Sequence, residues 1–317
     1  MTAAYLARLG CLSLACFFLL HTILALIVWA FAGRAIRMAE RMRPREGARL
    51  LLALRLLPVA LSLVAVAGLC VPSFLWLEPS ETAEEAGWAC VVAAFAGAAL
   101  WTAALLRAAR ALRQSRRYMK LCRQAARSDP RAMWIVDAPA PVLALAGLRR
   151  PRVIVSRNLL DALDAEHMEA ALLHEQAHLA SHDNLKRLAL VAAPEILPGR
   201  NAFRTLEQAW SRITEWSADE RAAAGDPHRR LALAEALVRA ARMGCCVTSA
   251  GPLATTLLDD PQDLGARISR LLDPPAAPRN ITPYWAAAGL AAATLALFVC
   301  QPATLYSVHA LLEEWMR

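Results

Sequence analysis

From Leu9 to Gly33 the chain carries no lysine, arginine, aspartate or glutamate, and His21 is its most polar side chain. Crossing a hydrocarbon core takes about 20 such residues, and there only a helix satisfies every backbone N–H and C=O within one segment. Leu56–Leu77, which follows Arg55, Trp88–Leu106, and Tyr284–Leu305 repeat the pattern, the last with Tyr284 and Trp285 at its start. The remaining composition agrees: 57% of the 317 residues are hydrophobic and the mean hydropathy is +0.35, too apolar for an ordinary soluble enzyme. Four membrane spans are therefore expected. Ala30-Phe31-Ala32 resembles a signal-peptide cleavage site, but the apolar core before it is too long for a leader.

The loops orient the spans. Arg34, Arg37, Arg41, Arg43, Arg45 and Arg49 lie between the first two, and Arg107, Arg110, Arg113, Arg116, Arg117, Lys120 and Arg123 follow the third. Glu78, Glu81, Glu84 and Glu85 separate the second from the third, with no cation among them. The positive-inside rule puts both basic groups in the cytoplasm and the acidic loop outside. The N-terminus and the tail 306–317 are then extracytoplasmic, and 107–283 forms a cytoplasmic insert between 1–106 and the fourth span, 284–305. Much of the basic excess behind the pI of 9.4 lies beside spans, where it contacts anionic lipid; nucleic-acid binding is not expected. Five of the eight cysteines fall in spans, and none has zinc-ligand spacing. His21 is either a functional polar group or a histidine satisfied by a neighbouring helix.

Within the insert, Met133–Val136, Pro141–Ala146 and Val153–Ser156 read as short strands between Pro and Gly. Helices follow. Asp164 is a candidate N-cap for one that pauses near Asp183; others cover Ala202–Ala224, stopping at Gly225, and His228–Met243, stopping at Gly244. Strands first and helices afterwards predict an α+β domain.

The first of these helices contains "HEQAH". His174 and His178 are one turn apart, a rise of about 6 Å, so both imidazoles can point at one metal ion. Glu175 projects beside that ion, placed to take a proton from water and not to bind the metal. A helical pair needs a third ligand from elsewhere. "TEWSAD" supplies it: Glu215 and Asp219 share a helix face, Glu215 completing a His2Glu zinc site and Asp219 accepting from a ligand histidine. Asp183 either orients a ligand in the same way or caps the next helix. His182, about 12 Å along the axis from His174, is beyond reach of the same ion.

HExxH with a later ExxxD resembles the gluzincin integral-membrane proteases. Three spans, a cytoplasmic protease domain and a fourth span are similar to the antibiotic-sensor proteases of the BlaR/MecR type. "PVLALAGLRRPRVIVS" resembles their Gly-x-x-x-Pro strand region, "HEQAHLASHDN" their zinc helix, and "DLGARISRLLDPP" the stretch before their last span. The resemblance implies one zinc ion, an extended substrate held by edge pairing along Pro141, Val142, Leu143 and Ala144, and a peptide substrate that is a cytoplasmic transcriptional repressor or the protease itself. Those sensors also carry an outer penicillin-binding domain after the fourth span; about a dozen residues follow it here, so that domain is expected to be missing. His228, Arg229 and Arg221 are candidates for a second oxyanion donor. Two other functions compete: an HtpX-like quality-control protease, and a signalling scaffold without turnover, against which the intact Glu175 argues.

Overall fold

The computed structural model describes residues 3–77, 87–128, 133–138, 140–196, 203–244, 253–257 and 263–274, with 306, 307 and 310. The expected fourth span, the acidic loop and the Cys245-Cys246 pair lie outside the described residues.

Three segments among the described residues are long and apolar enough to cross a membrane: α1 (Ala3–Glu40), α2 (Pro44–Ala65) continued through a π-helical turn (Val66–Cys70) into α3 (Val71–Leu77), and α4 (Trp88–Ala125). Their outer faces are consistent with lipid contact: Trp29, Val64, Phe95 and Leu105 are all more than half exposed, a surface that water does not tolerate as a continuous patch. Pro44 opens α2 at a position where its missing N–H costs nothing. The π turn has a cause in Pro72, whose ring would clash with the carbonyl four residues back, at Gly68. The Val71 N–H reaches five residues back to Val66 O, and the widened turn makes room. Gly97 lets α4 approach α1 backbone to backbone, since a Cβ there would stand 2.5 Å from Leu14 O.

α4 leads directly into a five-stranded sheet of β1 (Arg127–Ser128), β2 (Trp134–Val136), β3 (Leu143–Ala146), β4 (Arg152–Ser156) and β5 (Thr255–Thr256), in spatial order β1-β2-β4-β3-β5. β2 and β4 run parallel; the other pairs are antiparallel. Then come α5 (Arg157–Ala162), α6 (Ala165–Ser181), α7 (Asp183–Ala192), α8 (Arg204–Ala223), α9 (Pro227–Arg242) and, after β5, α10 (Leu264–Leu272). Asp164 caps α6, its side chain accepting from the His167 N–H. One sheet face packs on the end of α4 through Ala144, Ile154 and Cys122. Leu143 and Val155 join Met168, Ala171, Leu233, Leu237 and Leu271 in the core between sheet and helices.

One expectation changes here. β3 has no free edge: Leu143 and Ala144 pair with β4, Ala144 and Leu145 pair with β5, and Leu257 N–H donates to Leu143 O. Pro141 and Val142 precede the strand, and the Val142 N–H is taken by Ser156 Oγ at 2.8 Å. Edge pairing of a substrate along Pro141, Val142, Leu143 and Ala144 therefore has no vacant edge in this conformation. Beside the cores that spans and insert each keep to themselves, a further cluster joins the two. α4 runs unbroken past residue 107, and Phe203, which caps α8, packs together with Leu206, Trp210 and Ile213 of that helix on Ala25 and Val28 of α1 and Leu51 of α2. Arg55, 1% exposed, locks that contact: its Nε donates to Glu207 at 2.7 Å and its guanidinium lies over the Phe203 ring, while Glu195 bridges it to Arg107.

Candidate metal centre

α6 and α8 cross so that the motif residues meet out of solvent. His174, Glu175 and His178 are 0% exposed, Glu215 and Asp219 4%. The two Nε2 atoms are 3.1 Å apart, and Glu215 reaches His174 Nε2 and His178 Nε2 at 3.4 Å each. A tetrahedral ion bound at about 2.0–2.1 Å separates its donors by about 3.3 Å, so the three groups have the spacing of a zinc ligand set. Two imidazole nitrogens this close need a cation between them, a proton in the metal-free protein or a metal ion in its place, and neither Glu215 oxygen has a hydrogen-bond partner. The donors fit a metal.

The far nitrogen of each imidazole meets a carboxylate. His174 Nδ1 is 2.8 Å from Asp219, and His178 Nδ1 is 2.9 Å from Asp183. A carboxylate accepting at Nδ1 fixes the proton there and leaves the Nε2 lone pair for a metal. The chain arranges the second contact with a left-handed residue. His182, at φ +55°, ends α6 and turns the backbone so that Asp183 returns onto the helix it has just left. Asn184 anchors the corner by donating to Leu145 O and Gly147 O. Asp183 thus meets His178 with one carboxylate oxygen and Lys186, at 2.7 Å, with the other. His182 itself is exposed.

Arg267, on α10, is the residue that the motifs do not announce. It is 3% exposed and grips Asp219 through Nε and Nη2 at 2.8 and 2.6 Å. Its Nη1 donates to Leu257 O at 2.7 Å and lies 3.2 Å from Glu215. A sequence signal existed: Arg267 and Leu271 share the inner face of "LGARISRLL", and a charge on an inner face demands a buried partner. Of the oxyanion candidates, Arg221 is committed to Ala177 O and Ser181 Oγ, and the His228 backbone serves the cap of α9.

The electrostatics follow from burial among mixed charges. Burial raises Glu175 to about 7 against the opposing pull of His174 and His178. Burial disfavours charge on His178, but the Glu215 carboxylate and the Asp183 hydrogen bond outweigh it and lift the group to about 10. Burial likewise opposes charge on His174, and contacts with Asp219 and Glu215 carry it above the ordinary value. Burial opposes the charge of Glu215 too, yet His178 and Arg267 hold it well below the usual carboxylate range. At pH 7.5 the metal-free His178 is therefore protonated, and a metal must displace that proton. Metal affinity is expected to fall as pH falls, with at least one proton released on zinc addition at pH 7.5. Calorimetry in buffers of different ionisation enthalpy measures this; zinc binding without proton release would show that His178 is neutral beforehand.

Searches of curated proteins and of solved structures gave no match. The family described as BlaR1 peptidase M56 matches residues 85–271, more than half of the chain, from just before α4 to the penultimate residue of α10. That span contains every residue of the centre, and with three membrane-length helices around it the chain belongs to the BlaR1 peptidase M56 family of membrane-associated metallopeptidases.

Proposed function

We propose that the protein is a membrane-embedded zinc metalloendopeptidase that cleaves a cytoplasmic regulator, or itself, in transmembrane signalling. The observation that supports this best is the trio of donors at 3.1–3.4 Å with the buried Glu175 carboxylate, which has no hydrogen-bond partner, on the same stretch of helix. His174, His178 and Glu215 would hold the ion, which supplies Lewis acidity and lowers the pKa of water toward about 7. Glu175 is the general base: raised to about 7, it accepts a proton near neutral pH and returns it to the departing amine. Asp219 and Asp183 keep the imidazoles in the Nδ1–H tautomer, and Arg267 keeps Asp219 and Glu215 ionised. The buried site needs an opening movement to admit a peptide, and α8 connects such a movement to α1 and α2.

The reading is tested by metal analysis of purified variants. Ala at His174, His178 or Glu215 is expected to remove zinc, whereas His182→Ala keeps it. Asp219→Ala is expected to weaken binding by about 10–100-fold, as losses behind a ligand do. Zinc retained in Glu215→Ala and lost in His182→Ala would overturn the assignment.

The proposed topology places both termini outside and residues 107–283 in the cytoplasm of a bacterial-type inner membrane. Reporters fused after Arg123 and Gly225 are expected to score as cytoplasmic and one at Arg317 as external. A cytoplasmic score at Arg317 would remove the fourth span from the scheme.

A further inference from the structure

The cysteines of the spans carry no spacing signal along the chain, but the fold brings four of them to one place. Cys11 and Cys16 of α1, Cys70 at the end of the π turn and Cys90 in the first turn of α4 share a cluster with Tyr5, Leu12, Phe74, Ala93 and Ala94. Cys70 and Cys90 are buried, and Cys11 and Cys16 are partly exposed. The sulfurs meet in pairs. The Cys16 thiol donates to Cys70, which also accepts from the Ser13 hydroxyl, and Cys11 is in hydrogen-bond contact with Cys90. Each pair joins α1 to a different neighbour. Cys70 is the buried residue of the π turn that Pro72 imposes. Gly97, about two turns beyond Cys90, draws α4 onto α1. Packing alone asks for none of this: Ala15, Ala93 and Ala94 fill the same cluster, and a cysteine acting as a small hydrophobe has no need to face a second sulfur.

From these contacts we infer that Cys16 with Cys70, and Cys11 with Cys90, are dithiol pairs that oxidise reversibly to disulfides. A metal ion suits the cluster less. Soft ions bind thiolates, which are costly among leucine, phenylalanine and alanine side chains, whereas a disulfide is neutral. Among the described residues, moreover, no three of the four sulfurs lie within 4.8 Å of one another. The oxidant is a hydroperoxide, small and uncharged enough to enter an apolar site. The Cys70 sulfur attacks it: an S–O bond forms, the O–O bond breaks, and the thiol proton leaves with the released oxygen as water or an alcohol. The Cys16 sulfur then displaces the hydroxyl of the sulfenic acid. The S–S bond forms, the S–O bond breaks, and the Cys16 proton departs with the hydroxyl as water. Two electrons pass from the two thiols to the peroxide, and a thiol reductant returns them by exchange. Cys11 and Cys90 react in the same way. The pairs lie about 18 Å along α1 from Val28, where α8 is seated, so oxidation fastens the spans at the end away from the metal centre. The inference is independent of whether that centre hydrolyses peptides.

The test uses the full chain in isolated membranes, treated with hydrogen peroxide, blocked with N-ethylmaleimide and digested with trypsin without reduction. Cleavage after arginine leaves Cys11 and Cys16 on one peptide, 9–34, and Cys70 and Cys90 on another, 56–107. Double variants therefore tell the links apart by mass spectrometry. Cys11→Ala with Cys90→Ala keeps Cys16 and Cys70, and is expected to join the two peptides until dithiothreitol separates them. Cys16→Ala with Cys70→Ala keeps the other pair and is expected to do the same. The crossed variants, Cys11→Ala with Cys70→Ala and Cys16→Ala with Cys90→Ala, are expected to link at least about tenfold more slowly, because their remaining sulfurs are not held in contact. Ser13→Ala is expected to slow the Cys16–Cys70 link about twofold to tenfold and to leave the Cys11–Cys90 link unchanged. Thermal melting of each variant checks the fold. Equal linking in matched and crossed variants overturns the inference, since chance collision then suffices. So does the absence of linking in every variant, which makes the thiols packing groups. Protection from maleimide by copper(I), without any peroxide-driven link, also overturns it and makes the cluster a soft-metal site.

Discussion

Glu175→Gln is expected to lower peptide hydrolysis by at least about 10²–10⁴-fold while leaving the metal content and the fold intact. The amide has the size and shape of the acid and still bonds water, but it accepts no proton. Because Glu175 is no ligand in the His174–His178–Glu215 set, zinc stays; because the side chain is wholly buried among charged groups, a neutral replacement relieves desolvation and does not destabilise. Any self-cleavage should stop, and proteomics of cytoplasmic fragments should show wild-type products missing from the variant. Three outcomes separate the readings. Loss of both cleavage and signalling supports regulated proteolysis. Loss of cleavage with normal signalling makes the protein a conformational relay. Cleavage at the wild-type rate removes Glu175 from the mechanism.

The second large effect is expected at Arg267. Replacement by methionine keeps much of the volume but strips Asp219 of its bidentate partner and Glu215 of its nearest guanidinium. Breaking a buried pair from one side costs about 3–5 kcal/mol, since the surviving charge stays out of water. That cost should appear as a lower melting temperature of the metal-free protein. Bound metal should recover part of it, because a divalent cation neutralises the same carboxylates. Arg267→Lys is expected to fall between the two: it keeps the charge and loses the planar fork. An unchanged melting temperature in Arg267→Met would mean that Asp219 is neutral in the fold, against the depression that Arg267 imposes on it over the opposing effect of burial.

What the sequence reveals and what it conceals follow from the range of the interactions. His174 and His178 are legible because helical spacing alone puts them on one face of α6 with Glu175 beside it, and Glu215 with Asp219 repeats that local logic on α8. The three longer strands lie within two residues of their expected ends because Pro and Gly punctuate them. β1 and β5, two residues each, are too short to show any alternation. The covering of β3 by β5 joins Ala144 to Thr256, which no local pattern specifies. The destination of α8's apolar face was equally hidden. Phe203, Leu206, Trp210 and Ile213 would look the same facing a soluble core as they do facing α1 and α2. Arg267 needed both facts at once, an inner-face charge and the position of the carboxylates it must answer.

The sharing of α8 between the spans and the centre decides how this protein can be dissected. A fragment cut at residue 107 to obtain the catalytic part alone would uncover the α8 face that α1 and α2 now shield, and would leave Glu207 without Arg55. Such a fragment should be prone to self-association, and its Glu215 would hang from a helix that has lost its seat. The family match begins near residue 85, after α1 and α2, yet the piece expected to keep its metal site intact includes them. In inheritance as in the test tube, the anchor and the enzyme are one unit: a substitution in α1 that repacks Ala25 or Val28 is a substitution in the protease.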